Sequence, residues 1–409
     1  MASELTSTTF PRGFLWGAAI GAHQSEGNNL ASDWWARENR PDSPVAERAG
    51  DAIDSYHRWP EDLRLAASAG LTDYRFGIEW SRIEPADGHI SVAEIDHYRR
   101  IVDGALELGL RPLVTLHHFT NPLWFTLGGG WVRPDAAQRF LRYVDAIAPV
   151  LESGVERVET INEPNVVAVF PVLTGALDLA AGFPVPDLAT TEAMIAVHRA
   201  TRERLKERHP GLLVGWGVSV QDYQAEPGAE SLVDEYCHLR DGIFLEAARE
   251  DDWVGVQTYT RTRVGADGLA VVADDIDRTM TGWEFYPPAL GGAVRRVARV
   301  VGDVPIIVTE NGVATTDDER RVEYTTGALH SLRAAMDDGA DVRGYFHWSM
   351  LDNWEWGHWA PTFGLVAVDR ETFQRSPKPS LAWLGSLAPG CQDVGRGETG
   401  MPAATAASR

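Results

Sequence analysis

The chain has 409 residues, 44% of them hydrophobic, which is ample material for a core and a length that a single α/β barrel reaches. A formal net charge of −22 repels a phosphate backbone and an acidic lipid surface, which excludes nucleic acid and membrane as partners. No run of about 18 apolar residues occurs, residues 1–9 hold no apolar stretch of the secretory kind, and the two cysteines, Cys237 and Cys391, fit no metal or redox spacing, so a cytoplasmic protein with reduced thiols is expected.

The first β-rich run starts near Phe14. A helix follows over 55–69, where Pro60 suits an N-terminal position, so the regular helix is expected to begin there. Next come a strand over 72–78, a helix over 92–108, a strand over 111–117 and a helix over 135–153. A strand over 157–161 leads to a helix over 190–208, and a strand near Leu212 to a helix over 231–248. Strands near Trp253 and Val304 precede helices over 285–301 and 319–338, and a last strand covers 342–348. Four helix-like stretches end on glycine (Gly70, Gly109, Gly154, Gly339), which supplies the left-handed residue that stops a helix. The β-runs read as near-continuously apolar, as parallel strands covered on both faces do.

Eight β/α units predict a (β/α)8 TIM barrel. A doubly wound open sheet is the alternative, but residues 13–21 lack the G-x-G-x-x-G spacing of a dinucleotide site. No low-complexity linker interrupts the chain, so one domain is expected over 1–389. The tail over 390–409, rich in Ala, Gly, Ser and Thr, is expected to be disordered.

Two strings carry the chemistry: Thr160-Ile161-Asn162-Glu163-Pro164 and Val308-Thr309-Glu310-Asn311-Gly312. Their glutamates fall just past the fourth and seventh predicted strands, the end of a barrel where chemistry sits. Either one alone reads as solvated surface. Two carboxyl groups brought together can break a glycosidic bond, one protonating the leaving oxygen while the other attacks C1 or activates water. Each job needs its own pKa. Fifteen tryptophans offer flat faces for a sugar ring, or for core packing. His23, His117 and His118 lack an acidic partner at ligand spacing. Gly128-Gly129-Gly130-Trp131 is no phosphate loop, and no Gly-x-Ser-x-Gly elbow occurs. No metal or cofactor is expected.

From about residue 10 to 387 the chain resembles glycoside hydrolase family 1, the retaining β-glycosidases typified by β-glucosidases. The resemblance rests on the two strings above, on Phe14-Leu15-Trp16-Gly17-Ala18-Ala19 with His23-Gln24-Ser25-Glu26-Gly27, and on Tyr74-Arg75-Phe76 with Trp80-Ser81-Arg82. The run from Trp348 to Trp356 and Phe363-Gly364-Leu365 complete it. It implies Glu163 as acid/base and Glu310 as nucleophile, with Arg75 and Tyr259 holding Glu310 ionised. It further implies Asn162 on the sugar 2-hydroxyl, Gln24, His118, Glu355 and Trp356 on the other hydroxyls, Trp348 under the ring and Trp283 on the aglycone side. Carboxyl groups about 5–5.5 Å apart and double displacement would follow.

Several positions depart from the family pattern. Phe119 stands where an indole N–H is usual, His23 replaces a tyrosine and Gln257 an asparagine. His358-Trp359 replaces a Gly-Tyr pair in a stretch one residue short, and no lysine lies between Glu355 and Phe363, which argues against 6-phosphorylated sugars. Little chain separates Val166 from Thr190, which predicts an open aglycone side. A transglycosidase using the same intermediate and an inactive carbohydrate-binding protein are the alternatives to hydrolysis of a small β-glycoside; both glutamates being present argues against the second.

Overall fold

The computed structural model describes residues 5–6, 9–172, 183–266, 268–270 and 275–388. Eight strands form a closed parallel barrel: β1 Leu15–Ala19, β2 Asp73–Gly77, β3 Arg111–Thr115, β4 Arg157–Asn162, β5 Leu213–Ser219, β6 Trp253–Gln257, β7 Ile306–Asn311 and β8 Val342–Trp348. Each pairs with its chain neighbours, and β1 closes the ring against β8, with Leu15 opposite Gly344 and Ala19 opposite Trp348. A main helix follows each strand: α1 Ser55–Ala69, α2 Val92–Glu107, α3 Ala136–Ala146, α4 Leu188–Arg208, α5 Glu230–Cys237, α6 Ala289–Val301, α7 Asp318–Asp337 and α8 Pro379–Ser386. This is the predicted TIM barrel.

The helix stops read from glycine hold, with φ between 78° at Gly109 and 121° at Gly154. The helix starts differ where proline intervenes. α1 begins at Ser55, and Pro60 lies inside it. Its missing N–H forgoes one bond near the N-terminus, while the first turn is anchored by Ser55 Oγ donating to Asp62 Oδ2 at 2.9 Å. The helix expected over 135–153 breaks after Ala146 and resumes for one turn at Ala148–Leu151, because Pro149 has no N–H for the ladder. α6 starts only at Ala289, after Pro287 and Pro288. The helix expected over 231–248 passes through a π turn at His238–Gly242.

Most of the core lies between the barrel and its helices. Inside the barrel, Leu15, Leu113, Trp253, Ile307 and Phe346 from five strands form a separate apolar plug. Two residues further along β3 and β7, on the same face, come Thr115 and Thr309, and this next layer is polar. It contains Arg75 and Glu159, both buried, so β2 and β4, expected to be near-continuously apolar, each carry a buried charged residue into the barrel. The expected tail over 390–409 and Cys391 lie outside the described residues; Cys237 is a buried free thiol.

Candidate active site

Glu310 is the fifth residue of β7 rather than a residue beyond it. Against β6, the strand shifts register between Val308 and Glu310, the kind of irregularity that re-aims a side chain at a strand end. Arg75, on β2, donates from Nη1 to Glu310 Oε1 at 2.8 Å. Tyr259, just past β6, donates its hydroxyl to Oε2 at 2.5 Å. Burial raises the Glu310 pKa, and Arg75 and Tyr259 each pull it down. Burial is the largest of these influences, and Arg75 and Tyr259 both favour the ionised form against it.

Glu163 directly follows β4 and takes a left-handed conformation (φ 45°, ψ 58°). Its backbone N–H donates to Gly217 O at 2.8 Å. Its carboxyl is pushed up to about 8, first by burial and then by the charge of Glu310, against a hydrogen bond from Ser219 and the field of Arg75. Glu310 has a paired cation and a phenol donor, whereas Glu163 has a serine. The two carboxyl groups therefore differ in the direction acid and nucleophile require.

Both glutamates line one cavity of about 670 Å³, together with His118, Tyr259, Trp283, Trp348, Glu355 and Trp356. Gln24, Arg75 and Asn162 are buried and are not among its lining residues. Asn162 Oδ1 accepts from Arg75 Nη2 and, at 2.7 Å, from Gln257 Nε2, which leaves its Nδ2 without a partner. Gln24 Nε2 donates to Asn353 and Glu355 at 3.2 and 3.3 Å, and its Oε1 has no partner. Trp348 Nε1 donates to Glu355 Oε1 at 3.1 Å. Burial holds Glu355 well above the usual carboxylate range, with Trp348 opposing. His118 lies nearly parallel to Trp348 and to Trp356, 5.8 and 6.2 Å away. Burial and Arg75 keep it a neutral imidazole. Trp283 packs on Tyr259 at 5.4 Å.

The departures also find places. Phe119 meets Trp356 edge-on at 4.8 Å and lines the cavity with a ring that has no donor. His23 turns aside: Asn29 Nδ2 donates to its Nδ1 at 3.0 Å, and its Nε2 donates to Glu38 at 2.7 Å. His117 faces Asn121 and Trp131. His358 lines the cavity, while the Trp359 indole donates to Arg48 O at 3.1 Å. The open aglycone side expected between Val166 and Thr190 falls partly on residues 173–182, outside the described residues. Among the described residues no group of three or more His, Cys, Asp or Glu side chains is placed to hold a metal ion.

Sequence reading missed Glu159, Ser219, Gln221 and Phe170. Glu159 left one signal, an acid between Val158 and Thr160 inside a predicted parallel strand. The other three left none, because each is drawn to the cavity only by the closure of the barrel.

The sequence matches the profile of glycosyl hydrolase family 1 over residues 6–235 and 248–390. Beta-glucosidase A of Thermotoga maritima is 29% identical, with 92% of this chain aligned to 97% of that one. A bifunctional beta-D-glucosidase/beta-D-fucosidase of Bifidobacterium breve is also 29% identical, covering 91% and 97%. The crystal structure of beta-glycosidase BGL167 superposes with a TM-score of 0.85 at 39% identity, covering 97% of this chain and all of that one. The barrel, the two glutamate strings in their order and a profile match spanning nearly the whole chain agree: this protein belongs to glycosyl hydrolase family 1.

Proposed function

We propose that the chain is a retaining β-glycosidase that hydrolyses terminal β-linked sugars, β-glucosides first, with β-galactosides or β-fucosides alongside. The observation that carries this reading is the unequal pair of carboxyl groups in one cavity. Glu310 is gripped by Arg75 and Tyr259, and Glu163 has its carboxyl raised to about 8. A group protonated at neutral pH is a general acid, and a carboxylate held by a cation is a nucleophile in waiting. The relatives support the substrate class, being named as β-glucosidase, β-glycosidase and β-glucosidase/β-fucosidase.

In this reading Glu310 attacks the anomeric carbon while Glu163 protonates the departing alcohol. Water then hydrolyses the glycosyl ester with Glu163 acting as base. Asn162 Nδ2, Gln24 Oε1 and His118 Nδ1 are buried polar atoms without partners, and sugar hydroxyls would satisfy them. Trp348 offers its face to the ring, with Glu355 and Trp356 at the far side and Trp283 toward the aglycone. Residues 1–389 are taken as one catalytic domain that needs no cofactor. A cytoplasmic location goes with this reading, and no helix of the described residues is long and apolar enough to cross a membrane.

The test gives 4-nitrophenyl β-glycosides to the wild type and to Glu310→Gly, with and without azide. Release by the wild type, loss in the variant and rescue by azide as the α-glycosyl azide are expected. Folded wild-type protein that releases nothing across the panel overturns the reading.

A further inference from the structure

Glu159 sits in the polar layer of the barrel interior, its side chain fully buried. Its Oε2 accepts from Arg75 Nε at 2.8 Å, Arg75 Nη2 at 2.6 Å and Thr115 Oγ1 at 2.5 Å. Arg75 gives its remaining terminal nitrogen, Nη1, to Glu310. One guanidinium thus joins two carboxylates on opposite edges. The barrel makes room for this acid, because a methyl group at Gly217 would lie 2.0 Å from Glu159 Oε1. A buried carboxylate is costly unless its cation needs it, and Arg75 already has Glu310 and Asn162 as acceptors.

We propose that Glu159 is a positioning residue of the double displacement: it clamps the Nε–Nη2 edge of Arg75 so that Nη1 faces Glu310, and it remains the counter-charge of Arg75 while Glu310 is esterified. The inference rests on the hydrolase reading above. In the first step a Glu310 oxygen bonds to the anomeric carbon. The bond from that carbon to the glycosidic oxygen breaks with its electron pair, and the Glu163 proton goes to that oxygen. The charge of Glu310 is gone at that point. Without Glu159 a buried guanidinium would face a neutral ester, an unmatched charge in a dry site. In the second step water attacks, Glu163 takes its proton and Glu310 departs as a carboxylate opposite the same Nη1.

The other groups around Glu159 leave this task to it. Arg75 faces it from β2, Thr115 from β3, Gly217 from β5, Gln257 from β6 and Glu310 from β7, with Glu163 and Tyr259 at the strand ends. Arg75 is the one cation among them. After burial and the nearer charges, Glu159 adds to the upward pull on both Glu163 and Glu310.

Glu159→Gln keeps the shape and an acceptor and removes the charge. Both limbs of the kcat/KM pH profile are expected to move toward acid by about half a pH unit. With Arg75 unshared, Glu310 is a weaker nucleophile and a better leaving group. kcat/KM for 4-nitrophenyl β-glucoside therefore falls about tenfold, while kcat for 2,4-dinitrophenyl β-glucoside, limited by ester hydrolysis, stays within about threefold of wild type. Equal losses in both steps with unmoved limbs would reduce Glu159 to a scaffold ion pair. If Glu159→Gln yields no folded protein, Glu159→Asp replaces it. Its charge lies one methylene further from Arg75, so a smaller acidward shift is expected, and unmoved limbs overturn the proposal. An inactive wild type in the same assay defeats the hydrolase reading itself; an active wild type with an unselective variant defeats only the role of Glu159.

Discussion

At the scale of single residues, Glu163 pits activity against stability. Its carboxyl titrates near 8 in the folded chain, against an ordinary value of 4.5. As general acid it must hold its proton, so kcat/KM is expected to fall as pH rises through about 8. For stability the sign is opposite to that of a salt-bridged carboxylate. Between 4.5 and 8 the folded state keeps a proton that the unfolded state has released, so the fold loses stability as pH rises across that window. Glu163→Gln removes this liability. It should lower kcat/KM for 4-nitrophenyl glycosides by about 10²- to 10⁴-fold, abolish the basic limb, and raise the thermal midpoint relative to wild type at pH 8 but not at pH 4. Rate profiles and melting curves of both proteins across that range check the two signs together. A midpoint difference that does not grow with pH would mean that Glu163 is solvated rather than buried.

At the scale of elements, the interior is shaped as much by missing side chains as by those present. β5 and β6 carry Gly215, Gly217 and Gly255. A methyl group at Gly215 would lie 2.1 Å from Trp253 O, and one at Gly255 would lie 2.8 Å from the Cα of Gly217. Glycine within a strand marks such a close approach. Gly217→Ala should therefore overpack the polar layer, at a cost of about 1–3 kcal/mol, and displace Glu159 and Gln257, whose Nε2 would lie 2.8 Å from the new carbon. Denaturant midpoints and kcat/KM should fall together; an unchanged pair would mean that the layer is loosely packed. Strand order and helix stops were legible in sequence because apolar runs and terminal glycines act locally. Glu163 and Glu310 were legible because each sits in a short string with its asparagine and breaker. Glu159 and Ser219 were not, since their work depends on which strand closes beside which. Pro60 and Pro149 show the limit of local rules, since each ring removes one N–H, yet the helix runs on past Pro60 and breaks before Pro149.

At the scale of the whole molecule, the ring is closed twice. Inside, β1 pairs with β8. Outside, Asp62 of α1 meets Arg375, which lies beyond β8 and opens a short strand paired antiparallel to Val366–Val368. Arg375 Nε donates to Asp62 Oδ1 at 2.9 Å and Nη2 to Oδ2 at 3.3 Å, and Ser55 Oγ reaches the same Oδ2. Both side chains are at most 1% exposed. Burial raises the pKa of Asp62, and the hydrogen bonds and charge of Arg375 oppose it. Arg375→Met fills similar space but strands the carboxyl, which should cost about 3–5 kcal/mol near neutral pH. The loss should shrink as pH falls, because a protonated Asp62 no longer needs a cation. Asp62→Asn with Arg375→Met should recover most of it, since neither partner is then a buried charge. The pair lies on α1 and beyond β8, and neither residue lines the cavity, so kcat of the folded fraction should be unchanged in both variants. Thermal midpoints at pH 5 and pH 8 decide: a single variant as stable as wild type at both would show that this ion pair adds nothing to the closure made by the β1–β8 seam and by α8 packing on α1.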